Sequence, residues 1–86
     1  MARFYFDWRD NGDLTIDDEG IDFADFQSVK TEAARSLIEH ARDIVPGHDR
    51  RTLSIEARDD TGGLVLKTIL IFEVQLTLKA EAPALR

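Results

Sequence analysis

The 86-residue chain has no cysteine, one methionine, one tryptophan and two prolines. Without cysteine it can form no disulfide and no thiolate metal site, and small extracellular domains usually depend on disulfides. Its longest apolar run, residues 69–72, is far shorter than the roughly 20 residues of a membrane span. The apolar run at the N-terminus is also too short for a secretion signal. We therefore expect a cytoplasmic protein that does not bind membranes.

The negative charge of the chain is concentrated near its N-terminus. Residues 1–25 hold eight acidic and two basic side chains, which accounts for the net charge of −6, whereas residues 26–86 hold nine of each. This charge would repel phosphates, so we expect no nucleic-acid binding. It suits a basic protein partner or a cation, although aspartates also serve turns and solubility. The candidate acidic loop residues are Asp10, Asp13, Asp17 and Asp18.

A strand, a tight turn and a return strand open the chain. Aromatic residues at every second position predict a strand over residues 3–9 with one buried face. The pair Asn11-Gly12 predicts a type I′ turn, because both central residues of that turn need positive φ. A short return strand over residues 14–17 and a second turn at residues 18–20 follow.

One amphipathic helix is predicted over residues 26–45. Apolar side chains recur there every three or four positions, which places them on one face. Asp25 is the expected N-cap, and Pro46-Gly47 is expected to end the helix.

Two further strands are predicted after the helix. The first covers residues 52–59, and a hairpin loop at residues 59–63 leads into the second. That second strand could run over residues 64–79 because no glycine or proline interrupts it. Residues 80–86 are expected to form a disordered C-terminal tail.

These elements predict a single α+β domain over residues 1–79 in the order β-β-α-β-β. Its two layers are one helix and a four-stranded, mainly antiparallel sheet. The predicted core consists of Phe4, Phe6, Trp8, Val29, Ala33, Leu37, Leu53, Ile55, Leu70 and Phe72.

The order of these motifs resembles a family of short, uncharacterised bacterial proteins, a domain of unknown function. Its members open with a Phe/Tyr-rich strand ending in Asp, here residues 3–7, and an Asp/Gly hairpin, here residues 10–12. An Asp-x-x-Gly turn follows at residues 17–20, and then Asp25 precedes an Ala-rich helix. The resemblance covers residues 3–78 and implies the fold and a bacterial origin, but no activity.

A weaker resemblance is to HicB-like antitoxin domains, which also place a β-hairpin and an acidic loop before a helix on a sheet. It implies, as an alternative function, a regulatory protein that binds a basic partner through its acidic N-terminal loops. The chain departs from that pattern at residues 22–25, where Asp-Phe-Ala-Asp replaces a Pro-Asp-x-Pro-Gly stretch.

Motifs for metal binding and catalysis are weak. Residues 7–18 have the spacing of a calcium loop, but Arg9 stands where a carboxylate ligand is needed. The Asp-Thr-Gly tripeptide at residues 60–62 matches aspartic proteases, but it follows charged residues, as a hairpin turn does. His40 and His48 lack the spacing of a metal-binding pair on one helix. We expect no metal, no cofactor and no enzymatic activity.

The strand over residues 64–79 carries the strongest indication of function. Sixteen residues would extend for more than about 50 Å, whereas the predicted helix is roughly 30 Å long and cannot cover them. The outer face of this strand and Tyr5 of the first strand provide the candidate interface residues. They are Tyr5, Lys67, Ile69, Ile71 and Glu73. A bend, a bulge or the tail could cover this apolar patch. The favoured interpretation is a protein–protein interaction domain that forms a homodimer through this strand, either by its sheet face or by its edge.

Overall fold

The computed structural model describes residues 1–77 and contains one helix packed on a five-stranded antiparallel sheet. The sheet order is β2-β1-β4-β5, and β3 pairs with β1. The predicted two-layer α+β architecture is therefore confirmed. The predicted disordered tail, and the part of the last strand beyond Thr77, lie outside the described residues. The elements are β1 (Ala2–Asp10), β2 (Asp13–Thr15), β3 (Ile21–Phe23), α1 (Phe26–Ile44), β4 (Arg50–Arg58) and β5 (Leu64–Glu73).

Local sequence signals set the first turn and both ends of the helix, as predicted. Asn11 and Gly12 have φ of 53° and 100°, the two positive values that a type I′ turn requires. The Asp25 side chain accepts the N–H of Ser28 at 2.8 Å and caps α1. α1 buries one face only, and within residues 1–77 no helix is apolar enough over its length to cross a membrane.

The sheet contains one strand that the sequence did not predict. β3 is three residues long and pairs with the N-terminal end of β1, whereas β2 pairs with its C-terminal end. Three residues are too few to display a recognisable period of two. β2 is also shorter than predicted and ends at Thr15, because the backbone N–H of Asp17 bonds to the side chain of Asp7. Because β3 was not predicted, the sheet has five strands instead of the expected four.

The core lies between α1 and the centre of the sheet, where it was predicted. Val29 and Ala33 of α1 and Ile55 of β4 are completely buried. Phe4, Trp8 and Leu70 are partly buried against this centre, whereas Phe72 lies at the sheet edge. The fully formed core is Phe6, Val29, Ala33, Leu37, Ala41, Leu53, Ile55 and Ala57.

The predicted strand over residues 64–79 was wrong in its length, because β5 ends at Glu73. Glu73 pairs with Arg50, the first residue of β4, and the N–H of Val74 donates to Asp49 O at 2.7 Å. A strand persists only while a neighbour continues its hydrogen-bond ladder. β4 starts at Arg50, so Gln75 and Leu76 lie beyond the reach of this ladder.

Gly20 is a position where the fold requires glycine. Its φ is 74°, and an added Cβ would lie 2.8 Å from Tyr5 Cε2 and 3.0 Å from Phe4 O. Gly47 also has a positive φ, of 95°, but no atom lies within 4 Å of an added Cβ. Substitutions at the two glycines can therefore separate the cost of backbone strain from the cost of a steric clash.

We expect Gly47→Ala to lower the free energy of unfolding by about 1 kcal/mol through backbone strain alone. Gly20→Ala should lower it by about 2–3 kcal/mol, because the methyl group must also displace Tyr5 or the backbone of β1. Denaturant titration of both variants measures the difference. Equal losses would contradict the close packing of Gly20.

Candidate functional site

An ion pair between a buried carboxylate and a partly buried guanidinium joins β1 to β4, the two middle strands of the sheet. Asp7 of β1 is only 5% exposed. The Arg58 guanidinium of β4 donates from Nε to Asp7 Oδ2 at 2.7 Å and from Nη2 to Oδ1 at 3.1 Å. Two parallel bonds of this kind fix both side chains in one orientation. The backbone N–H of Asp17 also donates to Asp7 Oδ1, at 3.0 Å.

Asp17 completes this arrangement from the loop between β2 and β3. Its carboxylate accepts the backbone N–H groups of Phe6, Glu19 and Gly20 at 3.0–3.2 Å. Its carbonyl oxygen accepts a bond from Arg58 Nη2 at 2.9 Å. The Asp-x-x-Gly turn therefore closes onto β1 and β4 through its own aspartate. We call Tyr5, Asp7, Asp17, Gly20 and Arg58 the Asp7 cluster.

Hydrogen bonding keeps both carboxylates of the cluster ionised. Burial by itself raises the pKa of Asp7, but the bonds from Arg58 and from the Asp17 N–H outweigh it and lower the pKa. Burial likewise raises the pKa of Asp17, but hydrogen bonds from three backbone N–H groups lower this pKa by more than burial raises it. Each of these carboxylates accepts three hydrogen bonds from within the fold. The cluster is therefore built to hold a loop on a sheet.

The four predicted acidic loop residues do not form one site. Asp10 lies on the helix side of the sheet and binds Arg51 at 2.8 Å, whereas Asp17 belongs to the Asp7 cluster. Asp13 and Asp18 are exposed. In the described part of the chain, no three His, Asp or Glu side chains are arranged to hold a metal ion.

The outer face of β5 carries an exposed apolar centre with a charge at each end. Ile69 and Ile71 are 54% and 67% exposed. Lys67 lies 3.6 Å from Glu56, and Glu73 accepts a bond from Arg50 at 2.9 Å. The Arg50 bond, followed by one from Gln75, lowers the pKa of Glu73. We call Lys67, Ile69, Ile71 and Glu73, with the free edge of β5, the β5 surface.

Tyr5 does not belong to this surface, contrary to the predicted grouping. The register places Tyr5 opposite Arg58, whereas Ile69 is opposite Ser54, four residues earlier along β4. The Arg58 guanidinium lies 5.1 Å from the centroid of the Tyr5 ring and covers it. Tyr5 therefore packs within the Asp7 cluster.

An apolar groove beside β5 was not predicted from the sequence. It has a volume of about 330 Å³ and lies between the C-terminal half of α1 and the end of β5. Ile38, Val45, Leu70 and Phe72 are among its lining residues, and Ile38 is 58% exposed. One feature of the sequence could have indicated this groove. Ile38 lies at the margin of the apolar stripe of the helix, and no predicted strand was assigned to cover Ile38.

The chain belongs to the family described as Domain of unknown function (DUF6894), whose model matches residues 3–74. The match begins in β1 and ends directly after β5, so it includes the whole sheet and the helix. Searches of curated proteins and of solved structures found no significant match. The predicted resemblance to a domain of unknown function is confirmed, whereas no similarity to HicB-like antitoxins was found.

We expect Asp7→Asn to lower the free energy of unfolding by about 3 kcal/mol near neutral pH, since Arg58 would lose its buried partner. Because the folded pKa of Asp7 is below the unfolded value of about 3.9, its contribution is present above pH 4 and is lost as the pH falls further. Asp7→Asn should therefore flatten the acid side of the stability profile.

The matched control is Asp22→Asn, which removes the exposed ion pair with Arg3. This substitution should cost much less than Asp7→Asn, because an ion pair between two exposed side chains contributes little to stability. Denaturant titrations between pH 2.5 and pH 7 compare the variants. An unchanged acid profile in Asp7→Asn would contradict the assigned role of the Asp7 carboxylate.

Proposed function

We propose that this domain acts through protein–protein contact and self-associates through the β5 surface. The observation that carries the proposal is the position of β5 at the end of the strand order, with ten residues and an apolar outer face. Among residues 1–77 no strand lies on its other side. An identical edge from a second copy is able to continue the sheet.

The composition of β5 favours pairing at this edge. Edge strands usually avoid association through charged side chains, prolines or bulges. β5 has a register shift near Leu64, where it faces Ala57 and Arg58, but residues 68–72 contain no charge, no proline and no register shift. The unprotected part of the edge coincides with Ile69 and Ile71.

Pairing between two copies also limits the assembly to a closed dimer. Each copy contributes the same edge, and a two-fold axis uses it completely. The opposite end of the sheet is the three-residue strand β2, which offers little ladder for further growth. A dimer is therefore favoured over an open fibre.

No specific contact favours the alternative of a basic partner bound by the acidic loops. Asp10 and Asp17 are already engaged by Arg51 and by backbone N–H groups. The family match adds no support for an antitoxin role.

We expect wild-type protein to show a mass near twice that of the 9.7 kDa chain in a light-scattering concentration series. Ile71→Lys should weaken the dimer at least about tenfold, because it places a charge in the buried centre of both copies. Leu14→Lys is the matched control, since Leu14 is 43% exposed on β2, at the other end of the sheet.

Leu14→Lys should leave the mass unchanged, and circular dichroism should show all three proteins folded. A wild-type monomer at every concentration would refute self-association. An equal loss of dimer in Leu14→Lys and Ile71→Lys would place the contact elsewhere.

A further inference from the structure

We infer that two copies pair antiparallel along their β5 edges with the two-fold axis at Leu70, so that residues 74–76 of each copy continue β5 against the other. The inference rests on the proposed self-association and adds its register. In this register Leu70 faces Leu70, Ile69 faces Ile71, and Lys67 faces Glu73 of the second copy. Backbone direction, charge, and the exposed residues past the start of β4 all support this register.

The backbone of β5 decides which residues can meet across the edge. Val74 donates its N–H to Asp49 on the β4 side. Alternate residues of a strand direct their N–H and C=O groups to opposite sides, so Lys67, Ile69, Ile71 and Glu73 direct theirs to the free edge. In an antiparallel pair, outward-directed residues must face outward-directed residues. The axis at Leu70 meets this condition.

Charge selects this axis over its neighbours. Lys67 and Glu73 are the two charged residues of β5. With the axis at Leu70 they face each other at both ends of the interface, and the isoleucines meet between them. With the axis at Ile69, Lys67 faces Ile71 and Glu73 faces Val65, so charges lie against apolar side chains. With the axis at Thr68, Lys67 faces Ile69.

The intrachain contacts of these charges leave room for a second partner. Lys67 lies 3.6 Å from Glu56, beyond the usual length of a hydrogen bond, and an ammonium group has three donors. Glu73 accepts bonds from Arg50 and Gln75, and a carboxylate has about four acceptor positions. Each group can therefore bind across the interface without losing its own neighbour.

Residues 74–76 supply independent support for the same register. Val74 and Leu76 keep the apolar alternation of β5 past the start of β4, and they are 40% and 67% exposed. In the proposed register Val74 faces Leu66 of the second copy, and Leu76 comes next to the register shift of that strand, near Leu64, which is itself 60% exposed. The second copy thus supplies the ladder that β4 lacks. This accounts for a strand pattern that is longer than the observed strand.

The apolar groove lies on the helix side of the same axis. It extends from Ile38 and Val45 of α1 to Leu70 and Phe72 of β5. Leu70 of the second copy, directly opposite Leu70, comes to the mouth of this groove on the same face. Ile38, which is exposed in one copy, lies beside it. One symmetric contact therefore brings the exposed isoleucines into cross-strand contact on one face and places an apolar side chain beside the groove on the other.

The absence of cysteine makes a single-site cross-linking test possible. In the proposed register Leu70→Cys places two cysteines opposite each other at a Cα separation of about 4.5 Å, which a disulfide can span. Thr68→Cys is the matched control on the same face, and its two cysteines would lie about 13 Å apart along the strands.

After mild oxidation, Leu70→Cys should run almost entirely as a cross-linked dimer on a non-reducing gel, and Thr68→Cys should run as a monomer. Cross-linking of Thr68→Cys without Leu70→Cys would overturn the register, as would no cross-linking of either variant. In both cases a wild-type dimer in solution would leave the proposed self-association standing. A wild-type monomer would overturn both.

A charge exchange provides a second test that is independent of substitutions at the axis. Lys67→Glu alone and Glu73→Lys alone each place like charges together at both ends, so each should dimerise at least about tenfold more weakly than wild type. An equimolar mixture should restore dimers, because carboxylates of one variant then face ammonium groups of the other. Folded variants that do not recover when mixed would overturn the register.

Discussion

The fold depends on the hydrogen bonds that the buried carboxylate of Asp7 accepts. This carboxylate receives two bonds from Arg58 and one from the backbone of Asp17, and so it joins β1, β4 and the loop before β3. A carboxylate at this burial is stable only with such partners. Asp7 and the Asp-x-x-Gly turn, which carried the resemblance in the sequence, therefore have a structural role. They hold the loop before β3 on the sheet, and the surface proposed for self-association lies elsewhere.

The position of the Asp7 cluster also determines where apolar surface stays exposed. Arg58 covers Tyr5 at one end of the outer face, and Glu56 lies between Arg9 and Lys67 in the middle. The remaining outer apolar residues of β5, Ile69 and Ile71, have no such cover. Since α1 occupies only the other face, the edge strand is left with an apolar face and an open ladder. The same strand of a second copy can supply hydrogen bonds to the open ladder and cross-strand contacts to the apolar side chains.

The sequence predicted the features that are set by neighbours within a few residues. The Asn11-Gly12 turn, the Asp25 cap and the apolar stripe of α1 are local, and the structure confirms them. The bond between Asp7 and Arg58 joins positions 51 residues apart, and no local pattern identifies such a partner. The end of β5 was missed because a strand ends where its neighbour ends, which its own residues do not encode. The free edge became visible only with the strand order.

The most direct test of the account is hydrogen exchange at the outward-directed amides of Ile69 and Ile71, followed across protein concentrations. In a single copy these amides face solvent at the sheet edge, whereas in the proposed dimer they form ladder bonds with the second copy. The account predicts slow exchange that appears as the solution mass rises from monomer to dimer. Fast exchange at every concentration, in a protein shown to be dimeric, would contradict pairing at the β5 edge.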